Sequence, residues 1–509
     1  MKKALFSVLI GLVMAALVTM QGQAMAEATF VVVLDSAPAS LDPHAADSDA
    51  NLSVAENFFG ALVQRVGPEG VIKPSLAERW EHPDQLTWKF YLRKGVKFHN
   101  GNPFTADDVK FSFERFNDPK CSGFLYFGKI FDSIDIIDDY TVVLKTKDPN
   151  PWFLEALYYK YIMDKESTET RDLGDIGVKP IGTGAYRMVE WVKGSYIKVE
   201  ANEDYWEGPP AIKKAEFRPI TEASTRFAAL ASGQADLVVG VPVELYEKAV
   251  QNPKIKVLTR PARRSIFLLI GNKPGTPTAD VRVRKAMYLA INEDEIIQKI
   301  MAGHATPAAQ LEFPGCPGYN PDLKRFPYNP ELAKSLLKEA GYENGFEITL
   351  SGPNDRYVQD EKIAEAVAKY LAKVGIKVKL DVKPKSIYFN EVAEGKLEFG
   401  LLGWWDWDLG LNYEALLHSR TKGLGGWNGA NWSDPTMDLL IEQTLFIVDR
   451  YDRIRVLQDL NKLAMIDKIA MIPLHYQEDM YAVQKDRGIQ FTPRPGLWIV
   501  LKELSISKP

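Results

Sequence analysis

The chain has 509 residues, of which 46% are hydrophobic and 25% charged, and its formal net charge is −5. This length is too great for one small domain and predicts two or three compact units. Basic residues occur only in short groups, such as Arg260, Arg263 and Arg264 around Pro261. A mildly acidic chain of this kind is a poor candidate for binding nucleic acid or an anionic membrane.

The first 26 residues have the three parts of a cleavable secretion signal. Met1 to Lys3 is positively charged, Ala4 to Thr19 is apolar, and Ala24 to Ala26 is a small-residue cleavage motif. The apolar run is short for a membrane span. No cysteine stands at the cleavage point, so the sequence predicts an exported, soluble periplasmic protein that is not a lipoprotein. Cleavage removes two lysines and no acidic residue, and 62 − 2 = 60 basic against 67 acidic residues give a net charge of −7.

Cysteine and histidine usage argues against a metal centre. The two cysteines, Cys121 and Cys316, are far apart, and we interpret them as unpaired thiols. Zinc sites need closely spaced ligand pairs, which neither the cysteines nor the six histidines provide. We therefore expect no metal and no other cofactor.

The first half of the mature sequence is predicted to mix strands and helices. Residues 30–34 form an apolar run typical of a buried strand, and 54–59 has a helical pattern. Residues 86–92 and 141–145 alternate with period two, which predicts strands with one solvent-facing side. Between them, Thr105 is expected to cap a helix whose first turn contains two aspartates.

The second half contains a regular alternation of strands and helices. Its predicted elements are a strand at 347–351, a helix at 359–374, a strand at 376–382, a helix at 386–393 and a strand at 398–403. This β-α-β-α-β order predicts a parallel sheet with helices on its faces. In such sheets, ligands bind beyond the carboxyl ends of the strands.

Ordered motifs recur along the chain. They are Ser40 to Pro43, Pro74 to Glu81, Trp88 to Gly101, Phe104 to Val109, Phe113 to Arg115, Pro180 to Tyr186, Asn202 to Trp206, Val281 to Ala286, Ala290 to Asn292 and Ala333 to Tyr342. In this order they closely resemble the signature of family 5 of the extracellular solute-binding proteins, the peptide/nickel-type receptors of bacterial ABC importers. The resemblance covers essentially all of residues 29–500.

The resemblance implies an α/β fold of the two-lobed periplasmic-binding-protein type (type II, with an extra subdomain in lobe I), with the ligand cleft between the lobes. The expected boundaries are 1–26 for the signal peptide, 27–264 for lobe I with an inserted subdomain at about 51–180, 265–483 for lobe II, and 484–509 for the return to lobe I.

Polar and aromatic residues follow three predicted strands at their carboxyl ends, and these are the candidate ligand-binding residues. They are Ser36 and Ser40 in the first half, Arg356 and Tyr357 after the first strand of the second half, and Trp404, Trp405, Asp406 and Asp408 after its third strand. The tryptophans offer flat apolar walls. The serines could bind a ligand through their hydroxyl groups or have a turn role beside Pro38 and Pro43.

Arg356 and the two aspartates could grip the two ends of a zwitterion, with the arginine on a carboxylate and an aspartate on an ammonium group. In dipeptide-binding members of the resembled family, an arginine before a tyrosine and an aspartate after a Gly-Trp pair do this. Here the aspartate position, four residues beyond Gly403, is Trp407, and Asp406 and Asp408 stand on either side of it. This departure leaves open both a non-peptide ligand and a purely structural pairing of Arg356 with one of these aspartates.

The sequence therefore predicts a monomeric periplasmic receptor that captures a small polar solute, either a di- or oligopeptide or a peptide-like molecule, and delivers it to an ABC permease in the inner membrane. A sugar, an opine-like conjugate or a metal chelate is the alternative ligand. A rival class is a secreted carbohydrate-active enzyme with Asp406 and Asp408 as acid and base. Residues i and i+2 of one strand, such as Asp406 and Asp408, are about 7 Å apart. They would lie on the same wall of the site, whereas glycoside cleavage needs carboxylates on two sides of the bond. We therefore expect that the protein is not an enzyme.

Overall fold

A computed structural model describes residues 29–45, 49–67, 71–120, 122–405, 408–421, 423–494 and 496–507. The predicted signal peptide, Cys121 and Asp406 lie outside the described residues, so the expectations about them stay predictions. In the described part of the chain, no helix is both long and apolar enough to cross a membrane.

Strands and helices occur along the whole described chain. The strands are β1 (Phe30–Leu34), β2 (Val63–Val66), β3 (Val71–Pro74), β4 (Ala77–Asp84), β5 (Thr87–Leu92), β6 (Phe131–Asp138), β7 (Thr141–Thr146), β8 (Tyr186–Val192), β9 (Tyr196–Ala201), β10 (Lys214–Pro219), β11 (Leu237–Val239), β12 (Ile255–Ile270), β13 (Ala305–Pro307), β14 (Phe346–Pro353), β15 (Ile376–Lys383), β16 (Phe399–Trp405), β17 (Met471–Gln484), β18 (Ile489–Gln490) and β19 (Ser505–Ile506). The α-helices are α1 (Asp49–Phe58), α2 (Ala106–Arg115), α3 (Leu125–Gly128), α4 (Phe153–Ala156), α5 (Lys165–Glu169), α6 (Leu173–Ile176), α7 (Ala223–Ala231), α8 (Tyr246–Gln251), α9 (Val281–Ala290), α10 (Glu293–Lys299), α11 (Pro330–Glu339), α12 (Asp360–Ala372), α13 (Lys385–Ala393), α14 (Leu409–Leu417), α15 (Pro435–Thr444) and α16 (Arg450–Lys462).

One large mixed sheet organises the molecule, with the strand order β15-β14-β16-β12-β17-β11-β1-β10-β9-β8. At one end, β14 pairs in parallel with both β15 and β16, which confirms the parallel sheet predicted for the second half. At the other end, β1 pairs in parallel with β10 and β11. Smaller sheets stand apart, including the four-stranded β4-β5-β7-β6, which belongs to the region predicted as an inserted subdomain.

Each end of the large sheet is covered on both faces, and this makes two lobes. In β1, Phe30 and Val32 belong to one buried cluster, while Val33 belongs to the cluster on the opposite face. In β16, Phe399 and Leu402 are divided in the same way between two other clusters. Burial on both faces explains why these strands read as uninterrupted apolar runs.

The long antiparallel strands β12 and β17 connect the two lobes. Ile255 at the start of β12 packs in the same cluster as Val33 of lobe I, whereas Ile266 and Ile270 pack in a lobe II cluster. The residues between them therefore cross from one lobe to the other. The predicted lobe boundaries at 264 and 483 fall within β12 and β17. Because both strands contribute to both lobes, the exact boundaries stay predictions.

Candidate ligand-binding cleft

A cavity of about 620 Å³ lies between the lobes, beside the crossing strands. Its size is within the range of small-molecule sites, about 300–1,000 Å³. The residues that line it are Leu34, Asp35, Ser36, Ala37, Ala50, Ser53, Arg65, Gly67, Tyr158, Ala262, Arg263, Arg264, Arg356, Lys385, Ser386, Phe389, Trp405, Asp479, Arg494, Gly496, Leu497 and Trp498.

The lobe I wall is built where β1 ends. Asp35 and Ser36 directly follow this buried strand and both line the cavity, so the ligand contact predicted for Ser36 stays a prediction. The Ser36 Oγ donates a hydrogen bond of 2.9 Å to Asp35 Oδ1, which holds the two side chains together. A hydroxyl and a carboxylate therefore stand at the mouth of lobe I.

Ser40 has a different position from the one predicted. It is not among the lining residues, and its Oγ accepts a hydrogen bond of 3.1 Å from the backbone N–H of Asp42. The next turn is fixed by a buried ion pair between Asp42 and Arg115 with an N–O distance of 2.6 Å. The expectation of a ligand contact for Ser40 does not fit this geometry, because the serine has the turn role that its proline-flanked context allowed.

The lobe II wall begins with Arg356, in the loop between β14 and α12. This residue lines the cavity, and it follows the carboxyl end of β14, where the strand-end rule places ligand sites. Asp360 holds this loop in place, because its Oδ2 accepts hydrogen bonds of 2.9 Å from the backbone N–H groups of both Arg356 and Tyr357. Arg356 is thus presented from a well-anchored turn.

Tyr357 supports the wall without lining the cavity. Its side chain is 8% exposed, and its hydroxyl donates a hydrogen bond of 3.0 Å to the carbonyl of Gly403. Gly403 permits this approach, since a Cβ there would lie 2.7 Å from the Tyr357 ring. Burial raises the pKa of the Tyr357 hydroxyl, which stays a neutral hydrogen-bond donor. The predicted ligand contact for Tyr357 is thereby replaced by a positioning role.

Trp404 and Trp405 are both predicted ligand contacts, but the structure places them differently. Consecutive side chains of a strand point to opposite faces, and at the end of β16 it is Trp405 that lines the cavity. The Trp404 indole N–H instead donates a hydrogen bond of 2.8 Å to Asn412 Oδ1, and its ring lies 5.5 Å from that of Trp427. The prediction of a ligand contact fits Trp405 and does not fit Trp404.

Asp408 is a structural residue of lobe II. Its side chain is buried and caps α14, and Arg453 donates two hydrogen bonds to its carboxylate, at 2.5 and 2.6 Å. It does not line the cavity. The ligand contact predicted for Asp408 is therefore wrong, because both of its oxygens are already bound by a buried guanidinium.

Cationic side chains make up a large part of the wall, and sequence reasoning missed most of them. Arg263 and Arg264 come from the crossing part of β12, Lys385 from the start of α13, and Arg65 and Arg494 from lobe I. The adjacent Arg263 and Arg264 were visible in the sequence as a short basic group. Nothing in the local pattern indicates that their strand crosses between lobes.

Two of these cations are held by carboxylates behind the wall. Arg65 lies 3.2 Å from Glu155, and its guanidinium carbon lies 4.6 Å from the centre of the Tyr158 ring. Arg494 is ion-paired with both Glu56 and Glu503. Burial alone would lower the pKa of Arg494, but these two carboxylates raise it, so the residue is a permanent cation.

Aromatic rings complete the lining. Tyr158 and Trp498 belong to lobe I and are nearly buried, whereas Phe389 and Trp405 belong to lobe II and are partly exposed. Among the described residues, no group of three or more His, Cys, Asp or Glu side chains could hold a metal ion. The arrangement can therefore bind a small molecule between charged and flat surfaces contributed by both lobes.

Comparison with known proteins agrees with this architecture. The family model of bacterial extracellular solute-binding proteins, family 5 Middle, matches residues 71–422. The chain is 30% identical over 447 residues to the glutathione-binding protein GsiB of Pectobacterium atrosepticum, covering 84% of this chain and 85% of the relative. It is 30% identical to the dipeptide-binding protein of Escherichia coli, covering 88% of each.

A solved structure shares the fold along nearly the whole chain. The structure of HbpA2 from Haemophilus parasuis superposes with a TM-score of 0.83 at 26% identity, covering 94% of this chain and 100% of the other. The family model alone matches more than half of the chain. The chain is therefore a bacterial extracellular solute-binding protein of family 5.

Proposed function

We propose that the protein is the periplasmic solute-binding receptor of an ABC importer, and that it captures a peptide or peptide-like solute in the interlobe cleft for delivery to the permease. The observation that carries this proposal is the cavity itself, whose wall takes Ser36 from one lobe, Arg356 and Trp405 from the other, and residues of the crossing strands between them. Relatives named for glutathione and for dipeptides support a peptide-like ligand.

The mechanism is closure of the two lobes over the solute. A ligand that contacts both walls at once binds the closed form better than the open form, and this difference shifts the population to the closed form. The lobes also meet outside the cavity, where Glu244 accepts a hydrogen bond from Gln359 and lies 3.8 Å from Lys362. Such exposed contacts are worth little by themselves, so ligand contacts supply most of the bias.

Within the cleft, Arg356 is the proposed partner of a ligand carboxylate, which a guanidinium can bind in a bidentate manner. Asp35 is the proposed partner of a ligand ammonium group, and it takes the role that the sequence pattern suggested for Asp406 or Asp408. Its support is its position at the lobe I mouth, beside the hydroxyl of Ser36. Trp405 would pack against an apolar part of the solute.

We further propose that the solute leaves the cleft chemically unchanged. The catalytic alternative required Asp408 as an acid or base, and its carboxylate is occupied by Arg453 in a buried ion pair. A buried carboxylate whose two oxygens are bound by a guanidinium is out of reach of a substrate. The further proposals of a monomer and of export by cleavage before Glu27 are testable by light scattering and N-terminal sequencing.

The test is calorimetric titration of the purified mature chain with glutathione and with a panel of dipeptides, followed by mass spectrometry of the recovered solute. Binding of at least one of these with one site per chain, and recovery of the intact molecule, is the expected result. Absence of binding across the panel would contradict a peptide-like ligand. Turnover of a glycoside that disappears in Asp406→Asn would contradict the binding role.

A further inference from the structure

We propose that Glu244 of lobe I, with Gln359 and Lys362 of lobe II, forms a latch that holds the lobes together without touching the solute. These three residues would then tune the affinity from outside the cleft. The inference rests on the proposed function, because it requires lobes that close over a solute, and it adds residues that act on the balance between the open and closed forms.

The lobe I part of the latch is a short turn that follows β11. Val243 is 5% exposed and packs in the same buried cluster as Val33 of β1, which fixes the turn to lobe I. The next residue, Glu244, has a side chain that is 53% exposed. Its carboxylate is therefore held at the surface of lobe I on an anchored backbone.

The lobe II part of the latch is the beginning of α12. Gln359 stands at the N-cap of this helix, and Lys362 is three residues further on. The Gln359 side-chain amide donates a hydrogen bond to the Glu244 carboxylate, and the Lys362 ammonium group lies 3.8 Å from the same carboxylate. Two side chains of lobe II thus converge on one carboxylate of lobe I.

Gln359 has two features that its place in the helix does not explain. Residues at an N-cap commonly accept a hydrogen bond from a backbone N–H of the first turn, but the Gln359 side chain makes no such bond. Its backbone is left-handed, with φ 57° and ψ 28°. This conformation is costly for a residue with a side chain, and it occurs mainly where the surroundings enforce it, often at functional sites. Because the amide contacts lobe I instead, the interface between the lobes accounts for the side chain better than α12 does.

The latch and the cleft wall share one segment of lobe II. Asp360, next to Gln359, accepts the hydrogen bonds from the backbone N–H groups that hold the loop of Arg356, and Arg356 lines the cavity. The three latch residues do not line it. A change in the latch therefore acts on the relative position of the lobes and not through a contact with the solute.

The segment that carries Glu244 makes a second contact with lobe II. The ring centres of Tyr246 and His304 are 3.8 Å apart, and a hydrogen bond of 3.1 Å joins His304 Nδ1 to the carboxylate of Glu478 in β17. Tyr246 packs against the lobe I cluster, whereas His304 directly precedes Ala305, which packs in a lobe II cluster. This segment of lobe I therefore meets lobe II at two places.

The latch is expected to have a modest effect on affinity. Exposed ion pairs of this kind change an equilibrium by about two- to fivefold. A receptor binds more weakly when its binding-competent form is less populated. Loss of the latch should therefore lower the ratio of closed to open molecules and the affinity in the same direction.

Charge reversal tests the latch. Glu244→Lys and Lys362→Glu each place two like charges opposite one another, and the double variant restores an attractive pair with the signs exchanged. The amide of Gln359 can donate or accept a hydrogen bond, so it can serve either pair. Both replaced side chains are more than half exposed, and thermal unfolding verifies that each variant is folded.

The first measurement needs no ligand. Fluorescence energy transfer between dyes on noncanonical residues at Val192 of lobe I and Leu439 of lobe II, which are 41% and 57% exposed, reports the ratio of closed to open molecules. At low salt, each single variant is expected to lower this ratio about two- to fivefold, and the double variant is expected to restore it.

The matched control is Glu247→Lys, which makes the same change of charge at an exposed position three residues from Glu244. It should leave the ratio unchanged. An unchanged ratio in either single variant, no recovery in the double variant, or an equal shift in the control would overturn the inference.

Calorimetry with glutathione and the dipeptide panel is the second measurement, and the affinity should follow the closed-to-open ratio across the variants. A shifted ratio with unchanged affinity would overturn the effect of the latch on binding. If no peptide binds, the proposed peptide ligand is wrong, and the energy-transfer result alone decides the latch. If a peptide binds while the ratio does not respond to charge reversal, the latch is wrong and the proposed function stands.

Discussion

Substitution of Asp408 by asparagine separates a structural role of this residue from a role in binding. The carboxylate is 4% exposed and the Arg453 side chain 7%, and two hydrogen bonds of 2.5 and 2.6 Å join them. Asparagine can still accept the N-cap hydrogen bond from the Leu411 N–H, but it leaves the guanidinium buried without its counter-charge. Breaking a buried pair on one side costs about 3–5 kcal/mol, and we expect the free energy of unfolding to fall by about that amount.

The assay is urea unfolding followed by circular dichroism, with ligand titration of the folded variant. Asp280→Asn is the matched control, since Asp280 also caps a helix and pairs with Arg282 at 2.6 Å, but the two side chains are 29% and 46% exposed. Exposed pairs contribute less than about 1 kcal/mol. Replacing both buried partners with Leu and Met should recover much of the loss. An unchanged urea midpoint for Asp408→Asn, or lost affinity with unchanged stability, would refute this reasoning.

Three further predictions concern Arg356, Gly184 and two buried histidines. Arg356→Ala should weaken ligand binding without lowering the unfolding temperature, because the residue lines the cavity from a loop, and unchanged affinity by calorimetry would contradict its proposed ligand contact. Gly184→Ala should destabilise the protein by about 1–3 kcal/mol by overpacking, since the new Cβ would lie 2.4 Å from the backbone of Phe58; urea unfolding measures this, and a loss below that range would contradict it. Burial lowers the pKa of His44 to about 3 and of His99 to about 4, so their stabilising contribution is complete above the unfolded pKa of about 6.5 and is lost on acidification, by about 2 kcal/mol each between pH 7 and 5. The double variant His44→Gln/His99→Gln should show a flatter dependence of unfolding free energy on pH over this interval, and an unchanged slope would contradict the assignment.

Much of the framework follows from local sequence patterns. The apolar run of β1 and the alternating elements of β14 to β16 form the predicted strands, because a strand buried on both faces needs apolar side chains at every position. The strand-end rule then located Ser36, Arg356 and Trp405 at the cavity. The strands could be predicted because hydrophobic periodicity and strand order are properties of short, contiguous segments, whereas the ligand contacts of these three residues stay predictions.

The remaining features depend on contacts that no short segment contains. Period-two alternation separates Trp404 from Trp405, but only the packing of Trp404 on Asn412 decides which of them turns away from the cavity. Asp408 is a typical ligand carboxylate in sequence, and its partner Arg453 is 45 residues further along the chain. The amino-acid sequence does not show whether a charged residue forms an ion pair in the folded protein.

The sequence by itself determined the family, the strands and helices, and the edge of the sheet at which a solute would be held. Only the tertiary structure decided which charges face the cavity, because that depends on the crossing of β12 between lobes, on its bulge beside Arg263 and Arg264, and on distant partners such as Arg453. The physical reason is that secondary structure depends mainly on local periodicity, whereas the electrostatic character of a cleft is a sum over side chains that only the folded chain brings together.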